Sequence, residues 1–177
     1  RAIAVRAAKD GDQAACQELF LLCAGELTRW VSRVVLGADD AQDIVQDTFV
    51  DAFTQLRKLE QPESFRAWLR SIALTQVRRR FRKQRLLRRL GFADVEPVAL
   101  ETLISADAPP EVVTELRQVA SLLRSLPTDE ALALVLKRVE GYRLDEIADE
   151  LGFSLATVKR RLAAAEQGLH ALQEEAS

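Results

Sequence analysis

Three aspartates, Asp43, Asp47 and Asp51, recur at four-residue steps, so on a helix they share a face. Such a face can hold a metal ion between carboxylates or present negative charge to a basic partner. The first use lacks its other parts. The only histidine, His170, lies far along the chain, and no acid follows the spacing of a calcium loop. A phosphate-binding glycine loop, a nucleophile elbow and paired histidine ligands are also missing from the sequence. No catalytic residue, metal site or cofactor is therefore expected, and the chain reads as a binding protein, not an enzyme.

The opposite charge is just as concentrated. Ser64 to Leu90 holds ten Arg and Lys residues and no acid, a local charge of +10. Asp39 to Glu63 holds seven acids against Arg57 and Lys58, a local charge of −5. The whole chain carries only −2, so charge has been sorted along it, as two different partners would require. Phe65, Trp68 and Phe81 lie among the bases. Cations neutralise phosphates, and flat apolar groups receive or replace an unstacked base. A charge run also serves as a solvated face, and Trp68 at core spacing suits packing as well as stacking.

A third pattern spans Asp145 to Leu162. It is a short helix, a turn containing Gly152, and a longer helix, the layout of a helix-turn-helix. Ala148 is small where two helices must cross, and Ile147, Leu151, Val158 and Leu162 are placed to point inward. Ser154, Thr157, Lys159, Arg160 and Arg161 gather near the N-terminal end of the second helix, which offers donors and a favourable dipole to phosphate. The alternative is a surface hairpin with a solvated basic patch.

The elements that must position these groups are helical. Ala, Leu, Arg, Glu and Gln dominate, glycine and proline number 7 and 5, and strand-like alternation is nearly absent. Apolar residues from Ala2 to Leu36 recur at three- and four-residue steps, with a break at Gly11 and Asp12 as a cap. A turn, Gly37-Ala38-Asp39-Asp40, precedes a helix from Ala41 to Leu56, and Arg57 to Glu63 is a polar connection. Ser64 is expected to cap a helix running to Leu90. Gly91 to Glu115 has six acids, no base and three prolines, which suits an extended linker. Four more helical patterns follow: Val112–Leu126, Asp129–Glu140 with Thr128 as its cap, Leu144–Leu151, and Leu155–Gln173 capped by Ser154. The expectation is an all-α protein of two small helical domains, 1–90 and 112–177, joined by an acidic linker, 91–111.

No apolar run reaches the roughly 18 residues that span a membrane, and no signal peptide is visible, so a cytoplasmic protein without membrane insertion is expected. Cys16 and Cys23, seven apart, share a helix face as two small buried residues or as a redox pair. The absence of Met suggests that the numbering starts after the natural first residue. Arg outnumbers Lys 20 to 5, which a GC-rich genome would produce as readily as a function.

Asp40-Ala41-Gln42-Asp43-Ile44-Val45-Gln46-Asp47-Thr48-Phe49 is similar to region 2.2 of bacterial sigma factors. Phe65-Arg66-Ala67-Trp68-Leu69-Arg70-Ser71-Ile72-Ala73 is similar to region 2.3 running into 2.4. Leu126-Pro127 and Gly141 through Leu162, with Thr157-Val158-Lys159-Arg160-Arg161-Leu162, are similar to region 4. With these motifs in this order, the chain resembles the extracytoplasmic-function (ECF) sigma factors of bacterial RNA polymerase.

The resemblance implies that Asp43, Gln46 and Asp47 contact the clamp of the largest subunit of core RNA polymerase. It implies that the loop Leu59 to Ser64 and the basic helix engage the −10 element of promoter DNA, through Gln61, Ser64, Arg66, Arg70, Arg78, Arg79 and Arg82. In this family the loop captures a base flipped from the non-template strand, at a cost of a few kcal/mol that pocket and phosphate contacts offset. Ser154, Thr157, Lys159, Arg160 and Arg161 would serve the −35 element while the same domain touches the flap of the second-largest subunit. The linker would run toward the active centre and RNA exit path, and an anti-sigma factor is an implied partner.

Two positions and one segment depart from the family pattern. Thr75 stands where Asn is frequent, and Arg143 replaces a serine cap worth about 1 kcal/mol. Ala163-Ala164-Ala165-Glu166 replaces bulky and basic residues, leaving base reading to Lys159, Arg160 and Arg161. Two other readings compete: a sigma-like decoy that binds an anti-sigma factor without productive promoter binding, and a repressor acting without polymerase, which leaves the acidic motif unexplained.

Overall fold

The computed structural model describes residues 2–35, 39–91 and 109–175. Among these residues there are eight α-helices, two short 3-10 turns and no strand, the all-α architecture expected. They form two compact units, one up to Val35 with Asp39–Val77, the other from Arg78 onward.

The first unit begins with α1 (Ala2–Lys9) and α2 (Gln13–Val35). Asp12 separates them as expected: its Oδ1 accepts the backbone N–H of Ala14 at 2.8 Å and of Ala15 at 3.2 Å. Leu19, Cys23, Leu27, Trp30, Val31 and Val34 form the buried stripe of α2. α3 (Asp39–Gln55) buries Ala41, Ile44, Val45, Phe49 and Ala52 against it. Phe20, Phe49 and Phe53 run in a chain of rings, with centroids 4.8 and 5.6 Å apart. Thr48 is fully buried, and its hydroxyl donates to the Ile44 carbonyl at 2.6 Å, so no polar group is stranded there.

The polar connection after α3 is built from 3-10 turns at Leu56–Lys58 and Pro62–Ser64, with Leu56 and Leu59 buried as anchors. Ser64 stands immediately before α4, at the position expected for its cap, and also closes the second turn, its N–H donating to the Gln61 carbonyl at 3.0 Å. α4 (Phe65–Arg89) follows, and its first half buries Phe65, Leu69, Ala73, Leu74 and Val77. Trp68 and Ile72, read as part of that stripe, are only half-buried. Gln76 takes a place in the core because its amide donates to Asp51 of α3.

The second unit contains the rest of α4 with α5 (Pro110–Ser125), α6 (Thr128–Arg138), α7 (Leu144–Leu151) and α8 (Leu155–Glu175). Six consecutive residues of α6, Ala131 to Leu136, are buried, as in a helix surrounded on all sides. The N-cap of α6 is a correction. Pro127 holds that position, its carbonyl accepting the N–H groups of Glu130 and Ala131, and Thr128 becomes the first helical residue. At Gly168 of α8 an added Cβ would lie 3.1 Å from Leu122 Cδ1, so the missing side chain lets α5 approach closely. The expected turn at Gly37 and Ala38, and residues 92–108 of the expected linker, lie outside the described residues. α5 begins at Pro110, inside the bounds expected for the linker, with Pro110 at the first helical position that proline favours.

Candidate functional site

On α3 the burial pattern separates two faces. Ile44, Val45, Thr48 and Phe49 are buried, while Asp43, Gln46, Asp47 and Val50 are exposed at steps of three, one and three. That spacing is one helical stripe, so the three residues named for polymerase contact form a continuous surface with an exposed valine at its end. Asp51 does not join them: it is half-buried and bound to Gln76.

The residues named for the −10 element separate into two groups. Arg66 and Arg70, one turn apart on α4, both bind the carboxylate of Glu26 on α2, each at 2.9 Å and each a little over one-third exposed. Arg78 sends Nε to Asp129 Oδ1 at 2.9 Å and a terminal nitrogen to the Leu151 carbonyl at 2.8 Å, all within the second unit. These three arginines are committed to internal partners. Arg79, Arg82, Lys83 and Arg89 remain exposed, as does Gln61 in the loop, and Ser64 lies within 3.4 Å of the Gln61 side-chain oxygen. Phe65 is buried with its ring centroid 6.1 Å from that of Trp68, whose half-buried indole retains an open part.

The helix-turn-helix forms as its pattern implies. Ile147, Ala148 and Leu151 of α7 and Val158 and Leu162 of α8 are all buried. Gly152 ends α7 at φ 68°, and the Phe153 N–H reaches back to the Ala148 carbonyl at 2.9 Å, a Schellman closure. Ser154 caps α8, its Oγ accepting the Thr157 N–H at 3.2 Å and lying 2.9 Å from the Thr157 hydroxyl. Those two hydroxyls therefore hold the start of α8 in place. Arg143 precedes α7 without a side-chain acceptor, and half of a capping box survives, because Glu146 accepts the Arg143 N–H at 2.7 Å.

Of the basic residues on α8, Lys159 and Arg160 point outward. Arg161 does not. It binds Asp129 Oδ2 at 2.8 Å and lies 4.2 Å from the centre of the Phe153 ring, which Arg78 also approaches, at 5.2 Å. The alanine segment is now explained in part: Ala165 is in the core and Glu166 pairs with Arg138 at 2.6 Å, so only Ala163 and Ala164 shorten the outer face.

Sequence reasoning missed Glu26, Asp129 and Phe153, the residues that fix these arginines. The two acids lie about 30 to 50 positions from the arginines they bind, and no local pattern signals those pairs. Cys16 and Cys23 are both free thiols. Burial, and secondarily the nearby Asp12 carboxylate, push the Cys16 thiol upward, which disfavours the reactive thiolate. Among the described residues no group of three or more His, Cys, Asp or Glu is arranged to hold a metal ion, and no helix is long and apolar enough to cross a membrane.

The Sigma-70 region 2 family matches residues 19–86, and the Sigma-70 region 4 family matches residues 116–167. The RNA polymerase sigma factor CnrH of Cupriavidus metallidurans is 33% identical, with 97% of this chain and 93% of that protein covered. The ECF RNA polymerase sigma-E factor of Escherichia coli is 28% identical, covering 94% and 91%. The chain spans 39% of the length of the "Probable RNA polymerase sigma factor RfaY" of Xanthomonas campestris, to which it is 30% identical over 88% of its own length. A solved structure of CnrH in complex with the cytosolic domain of CnrY is similar over 99% of this chain and 98% of that one, at 29% identity and a TM-score of 0.60. The sigma factor RpoE bound to the anti-sigma factor NepR, from Bartonella quintana, shares the fold at 22% identity and a TM-score of 0.58, over 89% and 96%. Two sigma regions in order, on two helical units, with a relative aligned over nearly the whole chain, place this protein: it belongs to the extracytoplasmic-function sigma factors, promoter-specific factors of transcription initiation.

Proposed function

We propose that this chain binds core RNA polymerase through the outer stripe of α3, engages the −10 element through the Leu59–Ser64 loop and the exposed bases of α4, and engages the −35 element through the start of α8. The observation that carries the reading is the separation of faces on α3. Asp43, Gln46 and Asp47 stay exposed while the neighbouring acid, Asp51, is half-buried and bound to Gln76. An acidic stripe held on a rigid helix suits a basic coiled-coil clamp on the largest polymerase subunit.

For DNA, Arg79, Arg82, Lys159 and Arg160 carry the reading. They are exposed cations on helices, suited to phosphate contact and counterion release. Strand separation would follow from capture of an extruded base by the loop, with phosphate contacts offsetting the few kcal/mol of unstacking. The acidic stripe, with Val50 beside it, also fits an anti-sigma factor that competes with polymerase. CnrH and RpoE, relatives of the same fold, are found in complex with CnrY and with an anti-sigma factor respectively.

The test is transcription with purified core polymerase on genomic promoter fragments. Addition of the chain is expected to produce transcripts that core alone does not make. Asp47→Lys should weaken core binding by about tenfold while leaving the helical spectrum unchanged. Silence on every fragment, with core binding intact, would favour a decoy.

A further inference from the structure

We propose that Lys9, on the first helix, is a positioning residue for base capture by the Leu59–Ser64 loop. This rests on the −10 reading above and adds a residue that no motif of the chain points to. Lys9 ends α1, and its Nζ donates to the Leu59 carbonyl at 2.7 Å, across 50 residues of sequence. The bond is partly buried and charge-assisted, which places it among the stronger kinds of hydrogen bond. α1 itself cannot shift easily, because Ala4, Val5 and Ala8 are buried in the first unit and Val5 is wholly inaccessible. A second, weaker tie joins Arg6 to Glu63 at 3.7 Å between exposed side chains, and it adds little by itself.

The geometry of the loop explains why this one carbonyl matters. Leu59 and Phe65 are buried at its two ends, and between them Glu60, Gln61 and Glu63 are exposed. Apolar anchors fix where a loop starts and stops. They do not fix the rotation of the peptide planes between them. The Leu59 residue has just left the 3-10 turn with φ −71° and ψ 110°, so its carbonyl sits on the first peptide of the exposed arch. A cation held on a packed helix sets that plane, and the orientation of the following residues with it. A loop so ordered before DNA arrives loses less conformational entropy on receiving a base.

The experiment uses holoenzyme assembled from core polymerase and the full chain. Its probe is a single-stranded oligonucleotide with the −10 non-template sequence, with an abasic site placed at each position in turn to locate the captured base. Lys9→Met is expected to weaken binding of the intact strand about tenfold. It is expected to leave binding of the strand abasic at the captured position equal to that of the unaltered protein. Lys9→Arg should recover most of the affinity, and binding to core polymerase should not change. A defect of equal size on both strands, or none on either, overturns the proposal while leaving the −10 reading in place. If the unaltered holoenzyme distinguishes no abasic position, the −10 reading itself fails and takes the proposal with it. Should Lys9→Met fail to fold, Lys9→Gln replaces it, with a smaller loss expected on the intact strand alone.

Discussion

Two carboxylates, one in each unit, each collect two arginines that a charge count assigns to DNA. Glu26 holds Arg66 and Arg70 with all three side chains 36 to 40% exposed. Asp129 holds Arg78 and Arg161 with side chains only 17 to 25% exposed, and Phe153 lies against both guanidiniums. The same ion-pair chemistry should therefore do different work. At Glu26 water screens the pairs, so they steady α4 on α2 at little energetic consequence. At Asp129 the charges are partly desolvated, and loss of the single acid leaves two cations without compensation. A run of ten bases thus overstates the surface offered to a polyanion, because internal acids neutralise part of it before any partner arrives.

The sharpest way to break this contrast is to remove each acid. Asp129→Ala should lower the unfolding free energy by about 2–3 kcal/mol, against about 0.5–1 kcal/mol for Glu26→Ala, read from denaturant midpoints at constant slope. Equal losses would mean that the difference in exposure has no energetic meaning. Next in size is the DNA response. Arg79→Ala with Arg82→Ala should weaken promoter binding by roughly tenfold and reduce the slope of log affinity against log salt by about 1.8. Arg66→Ala with Arg70→Ala should leave that slope nearly as it was, and an equal change in both pairs would erase the division between free and committed arginines. The smallest effect concerns Glu26→Gln. Freed of the carboxylate charge, Arg66 and Arg70 should raise DNA affinity by roughly two- to fivefold at low salt, an advantage that fades as salt is added.

Much of the fold could be read from local sequence because its signals are local. Asp12 as a cap, the break at Gly11, the Gly152 and Ser154 corner and the inward positions of the helix-turn-helix all depend on residues within a few places of one another. The start of α6 was misread for an equally local reason: threonine is the better cap by side-chain chemistry, but Pro127 already provided a suitable extended backbone one residue earlier. The stripe on α3 was readable because helical periodicity sorts Asp43, Gln46 and Asp47 from Ile44 and Val45. What remained hidden was which charges meet. Glu26 to Arg70 spans 44 residues and Arg78 to Asp129 spans 51, and pairing across such distances is set by tertiary packing that no window of sequence contains. The role of Lys9 was hidden in the same way.

The corner at Gly152 carries a consequence for anyone who alters this protein. A Cβ added there would meet nothing within 4 Å, so an inspection for clashes would pass any small side chain. The obstacle is the backbone torsion of 68°, which costs an ordinary residue on the order of 1–2 kcal/mol. Tolerated replacements should therefore rank by their ease in the left-handed region and not by volume, with asparagine ahead of the smaller alanine and valine last.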